Sequence, residues 1–262
     1  MATGFPILFG GARKVAWTPA QLSTALWLDA ADASTITLNG STVSQWNDKS
    51  GNGRNVSQAT AASQPTYSAT GWEASKPAVV YSDKILENTT ATLKLIARSM
   101  FVVVRETTRT TYAGVFAVKT SSNDYDQPNG YVATTGAIGT NNFELAGSSG
   151  ISYRPSSSPD EASFGIYGEV KQAGLGSLYR NGTLHTTDSS FTEFNTNSAG
   201  GFRVGSRYNG YGFTGNIAEV IYLESTASTT DRQLIEGYLA WKWGLESSLP
   251  ANHPYKNLPP TV

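Results

Sequence analysis

Short apolar runs, each broken within a few residues by Gly, Asn, Ser or Pro, recur along almost the whole chain. Residues 25–28 (Ala-Leu-Trp-Leu) form the first clear run, and 43–46 (Val-Ser-Gln-Trp) alternates apolar with polar positions. Alternation sends successive side chains to opposite faces, the period of a half-buried strand. Further runs follow at 77–81, 99–105, 112–118, 164–170, 202–205 and 215–223. Residues 99–105 (Ser-Met-Phe-Val-Val-Val-Arg) are the most continuously apolar, which predicts a central strand covered on both faces. Residues 177–180 and 183–185 flank Asn181-Gly182. That dipeptide tolerates φ > 0 at both positions and predicts a two-residue hairpin. At least nine short strands separated by turn clusters, with no repeat of fixed period, predict an all-β sandwich or barrel and argue against a propeller or solenoid.

One segment follows the helical period instead. Thr230-Asp-Arg-Gln233 reads as a capping box with Thr230 as N-cap. Leu234, Ile235, Tyr238, Trp241 and Leu245 then fall on one helical face, and Gly244 is placed to end the helix. Residues 247–262 carry four prolines (Pro250, Pro254, Pro259 and Pro260) and are expected to run extended over the surface. Residues 1–20 are punctuated by Gly and Pro but include Phe5, Ile7, Leu8 and Phe9. They read as an arm, either frayed or docked on a neighbouring subunit. The expected organisation is an arm at 1–20, a sandwich over 21–246 and a tail at 247–262.

Composition agrees with a turn-rich β protein. The 262 residues include 26 Gly, with 39% hydrophobic and only 15% charged positions. Large β-sandwiches reach this length as one domain. Nineteen Lys and Arg against twenty Asp and Glu give a net charge of −1, without the basic footprint of a nucleic-acid binder. No stretch approaches the roughly 18 apolar residues of a membrane span. The absence of cysteine excludes disulfides, thiolate metal sites and cysteine nucleophiles. Arg13 and Lys14 follow the apolar N-terminal residues, the wrong order for a secretory signal. Sequons start at Asn39, Asn55, Asn88 and Asn181, and in a chain this rich in Asn and Thr they are read as chance.

Several of these segments together resemble a known family. Leu26-Trp-Leu-Asp-Ala-Ala-Asp32 and Val43-Ser-Gln-Trp-Asn-Asp-Lys-Ser-Gly51 look like the opening of laminin-G-like, concanavalin A-like domains of bacterial surface and phage structural proteins. Leu178-Tyr-Arg-Asn-Gly182 resembles the family's hairpin, and 213–221 its closing strand. Residues 230–245, followed by His253-Pro-Tyr255, resemble the helix and tail that often come next. The resemblance covers about 22–256. It implies a jelly-roll sandwich of two antiparallel sheets, a fold that hosts lectins, glycosidases, adhesins and structural domains.

Catalytic signatures are sparse. The two histidines, His185 and His253, lie in no recognisable motif, and there is no nucleophile elbow, P-loop or His-Glu-x-x-His. Glycoside hydrolysis needs two carboxylates flanking the scissile bond. Glu219 and Glu224 are isolated acids on or just beyond the closing strand, and Asp160-Glu161 sits in a Ser/Pro loop. The expectation is that the chain binds and is not an enzyme. Asp29, Asp32 and Asp48 read as turn caps, while Asn123, Asp124 and Asp126 form the better calcium candidate, with Asp124 and Asp126 as the metal ligands. Arg207, Tyr208, Asn209 and Tyr211 combine stacking rings with hydrogen-bonding groups, a composition that suits a sugar site and equally suits a Gly-rich hairpin with surface tyrosines. Trp27, Trp46, Trp241 and Trp243 are assigned to the core; Trp72 is open. The expected function is a virion structural or adhesion protein (a decoration, fibre or tail component). It would assemble as a homo-oligomer, contact other virion proteins through its arm and bind host surface carbohydrate or a receptor. A secreted or surface carbohydrate-binding module and a glycoside hydrolase are the alternatives.

Overall fold

A computed structural model describes residues 15–73, 75–95, 97–108, 113–118, 132–135, 142–146, 152–153, 164–172, 174–189, 200–206 and 212–262. Its strands are β1 (Thr24–Asp29), β2 (Ile36–Asn39), β3 (Thr42–Trp46), β4 (Val56–Ser57), β5 (Thr66–Glu73), β6 (Lys76–Ser82), β7 (Leu86–Asn88), β8 (Arg98–Thr108) and β9 (Ala113–Gly114). They continue with β10 (Phe116–Val118), β11 (Val132–Thr135), β12 (Asn142–Ala146), β13 (Ser152–Tyr153), β14 (Phe164–Gln172), β15 (Leu175–Arg180), β16 (Thr183–Asp188), β17 (Phe202–Val204) and β18 (Thr214–Leu223). One helix, α1 (Thr229–Trp243), follows. The expected all-β sandwich with a C-terminal helix is therefore the observed architecture.

Pairing is antiparallel throughout the named strands, in the order β10-β17-β7-β4-β3-β5-β6-β18-β8-β14-β15-β16, with β1 on β18 and β2 on β3. A second, four-stranded sheet runs β13-β12-β11-β9. The long path folds over on itself where Thr42 of β3 meets Thr66 of β5, giving two layers. Between them lies the main core: Leu26 and Leu28 of β1, Val43 and Trp46 of β3, Met100, Val102 and Val104 of β8, and Phe116, Phe202 and Tyr222. The alternate residues Phe101 and Val103 of β8 face the other way, into a second core with Trp27, Trp72, Ile221 and the helix residues Ile235, Leu239 and Trp243. That double burial explains why the β8 run is continuously apolar, as expected for a central strand. Asn181 (φ 47°) and Gly182 (φ 77°) both take the left-handed conformation of the expected hairpin turn between β15 and β16.

The outward face of the first layer is polar. Thr37, Gln45, Ser57, Glu87 and Arg203 stand in one register row across five strands, with Arg203 Nε 2.8 Å from Glu87 Oε2. A buried ion pair, Arg98 to Glu169 at 2.7 Å, sits at one end of the inter-layer space.

The helix begins two residues earlier than expected. Ser228, not Thr230, is the N-cap: its Oγ accepts the Asp231 N–H at 3.1 Å. Ser228, Thr229 and Thr230 can all cap, and the Asp231 carboxylate in turn accepts the Ser228 hydroxyl at 2.7 Å. Gly244 ends the helix in the left-handed conformation, as expected. The assignment of Trp241 to the core is corrected: it is 36% exposed, because the helix turns Ile235, Leu239 and Trp243 toward the sheet. The indole of Trp241 donates to Tyr255 O at 2.8 Å, tying the tail to the outer side of the helix.

Gly237 makes that tail contact possible, since a Cβ there would lie 2.6 Å from Tyr255 Cβ. Alanine adds about 1 kcal/mol of helix propensity, but overpacking costs roughly 1–3 kcal/mol. Gly237→Ala is thus expected to lower stability slightly, measured as a reduced urea midpoint. In a Tyr255→Gly background, which removes both the clashing Cβ and the ring, the same substitution should become stabilising, and a stabilised single variant would show that the tail is not held against the helix.

Candidate functional site

Among the described residues β1 has a sheet neighbour, β18, on one side only. Its other edge is covered by the loop at 47–55, largely through side chains. Trp27 N–H donates to Asp48 Oδ1 at 2.9 Å, and Lys49 N–H donates to Trp27 O at 2.8 Å. Asn52 Nδ2 donates to Thr24 O at 3.0 Å, and an Arg54 guanidinium N–H to Ala25 O at 3.0 Å. Asp48 holds the loop's shape, its Oδ2 accepting the Ser50 hydroxyl at 2.7 Å and the Arg54 N–H at 3.1 Å. An edge strand satisfied in this way cannot pair with another chain.

Where this loop meets the end of the sandwich, it walls a cleft of about 470 Å³. The other walls come from 22–25, Lys94, Glu224 and Ser225. Glu224 lies just past β18; its Oε1 is 3.0 Å from Arg54 and accepts the Lys94 N–H at 3.1 Å. The Lys94 segment is pinned in turn, because Leu93 and Leu95 are buried and Lys94 O accepts the Tyr222 hydroxyl at 2.6 Å. Burial pushes the Tyr222 hydroxyl well above its usual range, so it stays a donor. Lys94 itself is exposed, and its ammonium has no partner among the described residues. The cleft lies within the volume range of small-ligand sites, and its Asn52, Arg54 and Glu224 side chains are held in place by the contacts above.

Glu219, the other acid read as isolated, is elsewhere and inaccessible. It is fully buried on β18 beneath α1. Its Oε1 accepts from Trp27 Nε1 (2.7 Å) and the Tyr238 hydroxyl (3.0 Å); its Oε2 accepts from Trp243 Nε1 (2.6 Å) and Lys242 Nζ (2.8 Å). Burial raises its carboxyl above the ordinary value, the Lys242 ammonium pulls it down, and Asp29 pushes it up. Asp29 completes the network, bound to Lys242 at 2.6 Å and Lys49 at 2.8 Å. Every oxygen of Glu219 is used to anchor the helix, so the group serves the fold.

Asp29, Asp32 and Asp48 each accept a backbone N–H close in sequence: Ala31, Ser34 and Ser50 respectively. The Ser34 hydroxyl and Lys49 hold the Asp32 carboxyl below its usual value. Among the described residues no group of three or more His, Asp and Glu is placed to hold a metal ion. Asp124 and Asp126, with Asn123, lie outside the described residues, as do Arg207, Tyr208, Asn209 and Tyr211. His185 is exposed on β16. His253 is buried between the tail and the helix; its Nδ1 accepts the Tyr255 N–H at 3.2 Å, which leaves Nε2–H to donate to Glu236 at 3.2 Å. Arg232 also binds Glu236, at 2.6 Å. No described helix is long and apolar enough to cross a membrane.

No protein-family model matches the sequence, and no curated protein is similar to it. Solved structures do resemble it. Domain 4 of the GH43 extracellular arabinanase AbnA from Geobacillus stearothermophilus, in complex with arabinotriose, is 15% identical at a TM-score of 0.54, over 71% of this chain and 89% of that one. An arabinofuranosidase complexed with arabinofuranosyl-alpha-1,2-xylobiose is 13% identical at 0.53, over 74% of this chain and 50% of that one. Trypanosoma rangeli sialidase is 9% identical at 0.52, over 84% of this chain and 33% of that one. The chain thus spans half of the arabinofuranosidase and a third of the sialidase. Likeness at this identity shows the fold: a β-sandwich shared with carbohydrate-active proteins and in keeping with the concanavalin A-like type. It also corrects one expectation. The chain was read as not an enzyme from the lack of catalytic motifs, yet its structural neighbours are glycoside hydrolases. Motif absence is a poor guide here because carboxylates that converge in a sandwich are far apart in sequence.

Proposed function

We propose that this β-sandwich binds carbohydrate, and that the cleft between Asn52, Arg54, Lys94 and Glu224 is where it does so. The observation that carries this reading is the cleft itself. Its Asn52 and Arg54 side chains are held by the loop of Asp48, and Glu224 is held by Arg54 and the Lys94 N–H, so ordering these groups costs little on binding. Support comes also from the fold, since the similar arabinanase domain holds arabinotriose and the similar arabinofuranosidase holds an arabinofuranosyl-xylobiose. A sugar in this cleft is held by hydrogen bonds, with Glu224 accepting from hydroxyl groups and Asn52 and Arg54 framing the wall.

A glycan array followed by calorimetry on the best ligand tests the proposal. Glu224→Gln and Asn52→Ala are expected to weaken binding at least 10-fold, about 1.4 kcal/mol or more, with the fold retained. An array with no ligand, or a ligand whose affinity ignores both substitutions, overturns the assignment. The same mixtures are assayed for released reducing ends, because arabinofuranosidase and sialidase chains share the fold.

For the setting, a virion or cell surface is the reading we carry forward, with the N-terminal segment as the attachment and a homo-oligomer as the assembled form. The resemblance of 26–32, 43–51 and 213–221 to surface and virion domains supports it. Native mass measurement of the full chain against one starting at Val15 is the test. That truncation keeps Trp17, which packs edge-on against Tyr238 at 6.0 Å. An unchanged oligomeric mass would reject the role of residues 1–14 in assembly.

A further inference from the structure

We infer that the ligand of the rim cleft carries an anionic substituent: an acidic sugar unit, its carboxylate received by Lys94. The inference rests on the carbohydrate-binding reading of the same cleft and goes on from its charges. Three described charged side chains line it, namely Arg54, Lys94 and Glu224. Two of them neutralise each other. Glu224 is paired with Arg54 at 3.0 Å, and the remaining reach of Arg54 goes to Ala25 O at 3.0 Å. The Asp48 carboxylate of the same loop is spent on the N–H groups of Trp27, Ser50 and Arg54 and on the Ser50 hydroxyl. Among the described residues that leaves one positive charge unpaired in the cleft, the ammonium of Lys94, at an exposed position.

The geometry of the rest favours a sugar bearing that anion over a bare ion. Glu224 Oε2 accepts no hydrogen bond among the described residues and can take one from a ligand hydroxyl. The Ser23 and Ser225 hydroxyls line the same cleft. A small inorganic anion would meet the ammonium alone and leave Glu224 Oε2 and the two serine hydroxyls unused. A larger ligand carrying both hydroxyls and a carboxylate separates the two charges and satisfies each. Charge–charge recognition in a partly open cleft is screened by salt, so affinity should fall as ionic strength rises.

The test uses the full chain against paired oligosaccharides that differ only in charge, trigalacturonic acid and its methyl ester, alongside an array carrying acidic and neutral sugars in equal number. The expected result is that acidic members bind at least 10-fold more tightly than their neutral counterparts. Lys94→Ala, at an exposed position that leaves the fold intact, should erase that preference, and Lys94→Arg should restore most of it. Neutral sugars binding as well as acidic ones, or a preference that survives Lys94→Ala, overturns the inference and leaves carbohydrate binding standing. An array with no ligand of either kind overturns both.

Discussion

Glu219→Ala is expected to lower stability by about 3–5 kcal/mol, the usual penalty for removing one member of a buried charged network. Four donors converge on this carboxylate: the indoles of Trp27 and Trp243, the Tyr238 hydroxyl and the Lys242 ammonium. Alanine leaves the two indole N–H groups buried without an acceptor, and each unsatisfied donor costs roughly 1–3 kcal/mol. Lys242 keeps Asp29 at 2.6 Å and, being partly exposed, can also turn toward water. Lys242→Met should therefore cost less than Glu219→Ala. Glu219→Gln is intermediate, because its amide offers one acceptor oxygen and turns an N–H₂ toward donors. Urea unfolding monitored by tryptophan fluorescence reads all three. A loss below about 1 kcal/mol for Glu219→Ala would show that apolar packing alone holds the helix on the sheet.

Gly205→Ala is the second large effect. Gly205 follows β17 with φ 86°, its N–H donating to Val115 O at 2.9 Å and its carbonyl accepting the Phe213 N–H at 2.8 Å. Both bonds fix the backbone where it is. A Cβ built there overlaps Cδ1 and Cε1 of Tyr81, which is buried and packs on Phe213 at 6.5 Å. Left-handed strain and overpacking add to a loss of about 2–6 kcal/mol. Gly40 supplies the control. Its φ is 64° and a Cβ would meet nothing within 4 Å, so Gly40→Ala should show the backbone cost alone, about 1–2 kcal/mol. Equal losses at the two sites, compared by denaturant midpoint at constant slope, would mean that Tyr81 moves aside freely.

The strands that bury residues on both faces were legible from the sequence, and those with a polar outer face mostly were not. β8 is continuously apolar from Met100 to Val104 and β18 from Ile217 to Leu223 except at Glu219, and the β15–β16 turn carries its own signal in Asn181-Gly182. β2, β4, β5, β7, β11, β12 and β13 escaped. β5 buries only Trp72 among its eight residues, and β7 contributes Leu86 alone to the core. Such strands are specified by their neighbours, which local periodicity does not report. Polar anchors misled in a different way. Aromatic spacing put Trp241 inward, whereas the buried carboxylate of Glu219 recruits Trp243 and Tyr238 and so decides how the helix is turned. Glu219 reads as an isolated acid in the sequence because its partners, Trp27 on β1 and Tyr238, Lys242 and Trp243 on α1, are distant along the chain. The rim cleft was illegible for the same reason. Asn52, Arg54, Lys94 and Glu224 come from three separated segments, and no spacing rule links them.

The two ends of the described chain leave the sandwich side by side. Ala16 pairs with Thr261, Trp17 N–H donates to Pro260 O at 3.1 Å, and Val262 N–H donates to Val15 O at 3.0 Å. Joining them by a short linker would alter little of the path between. The fold should therefore tolerate circular permutation, with new ends opened at an exposed turn such as Gly51-Asn52-Gly53, although that cut would sever the cleft's own wall. Opening it at Asn39-Gly40 instead would leave the cleft whole. For the same reason the domain can be spliced into a loop of a host protein as a pendant, entering and leaving through one point, without forcing the host's chain apart.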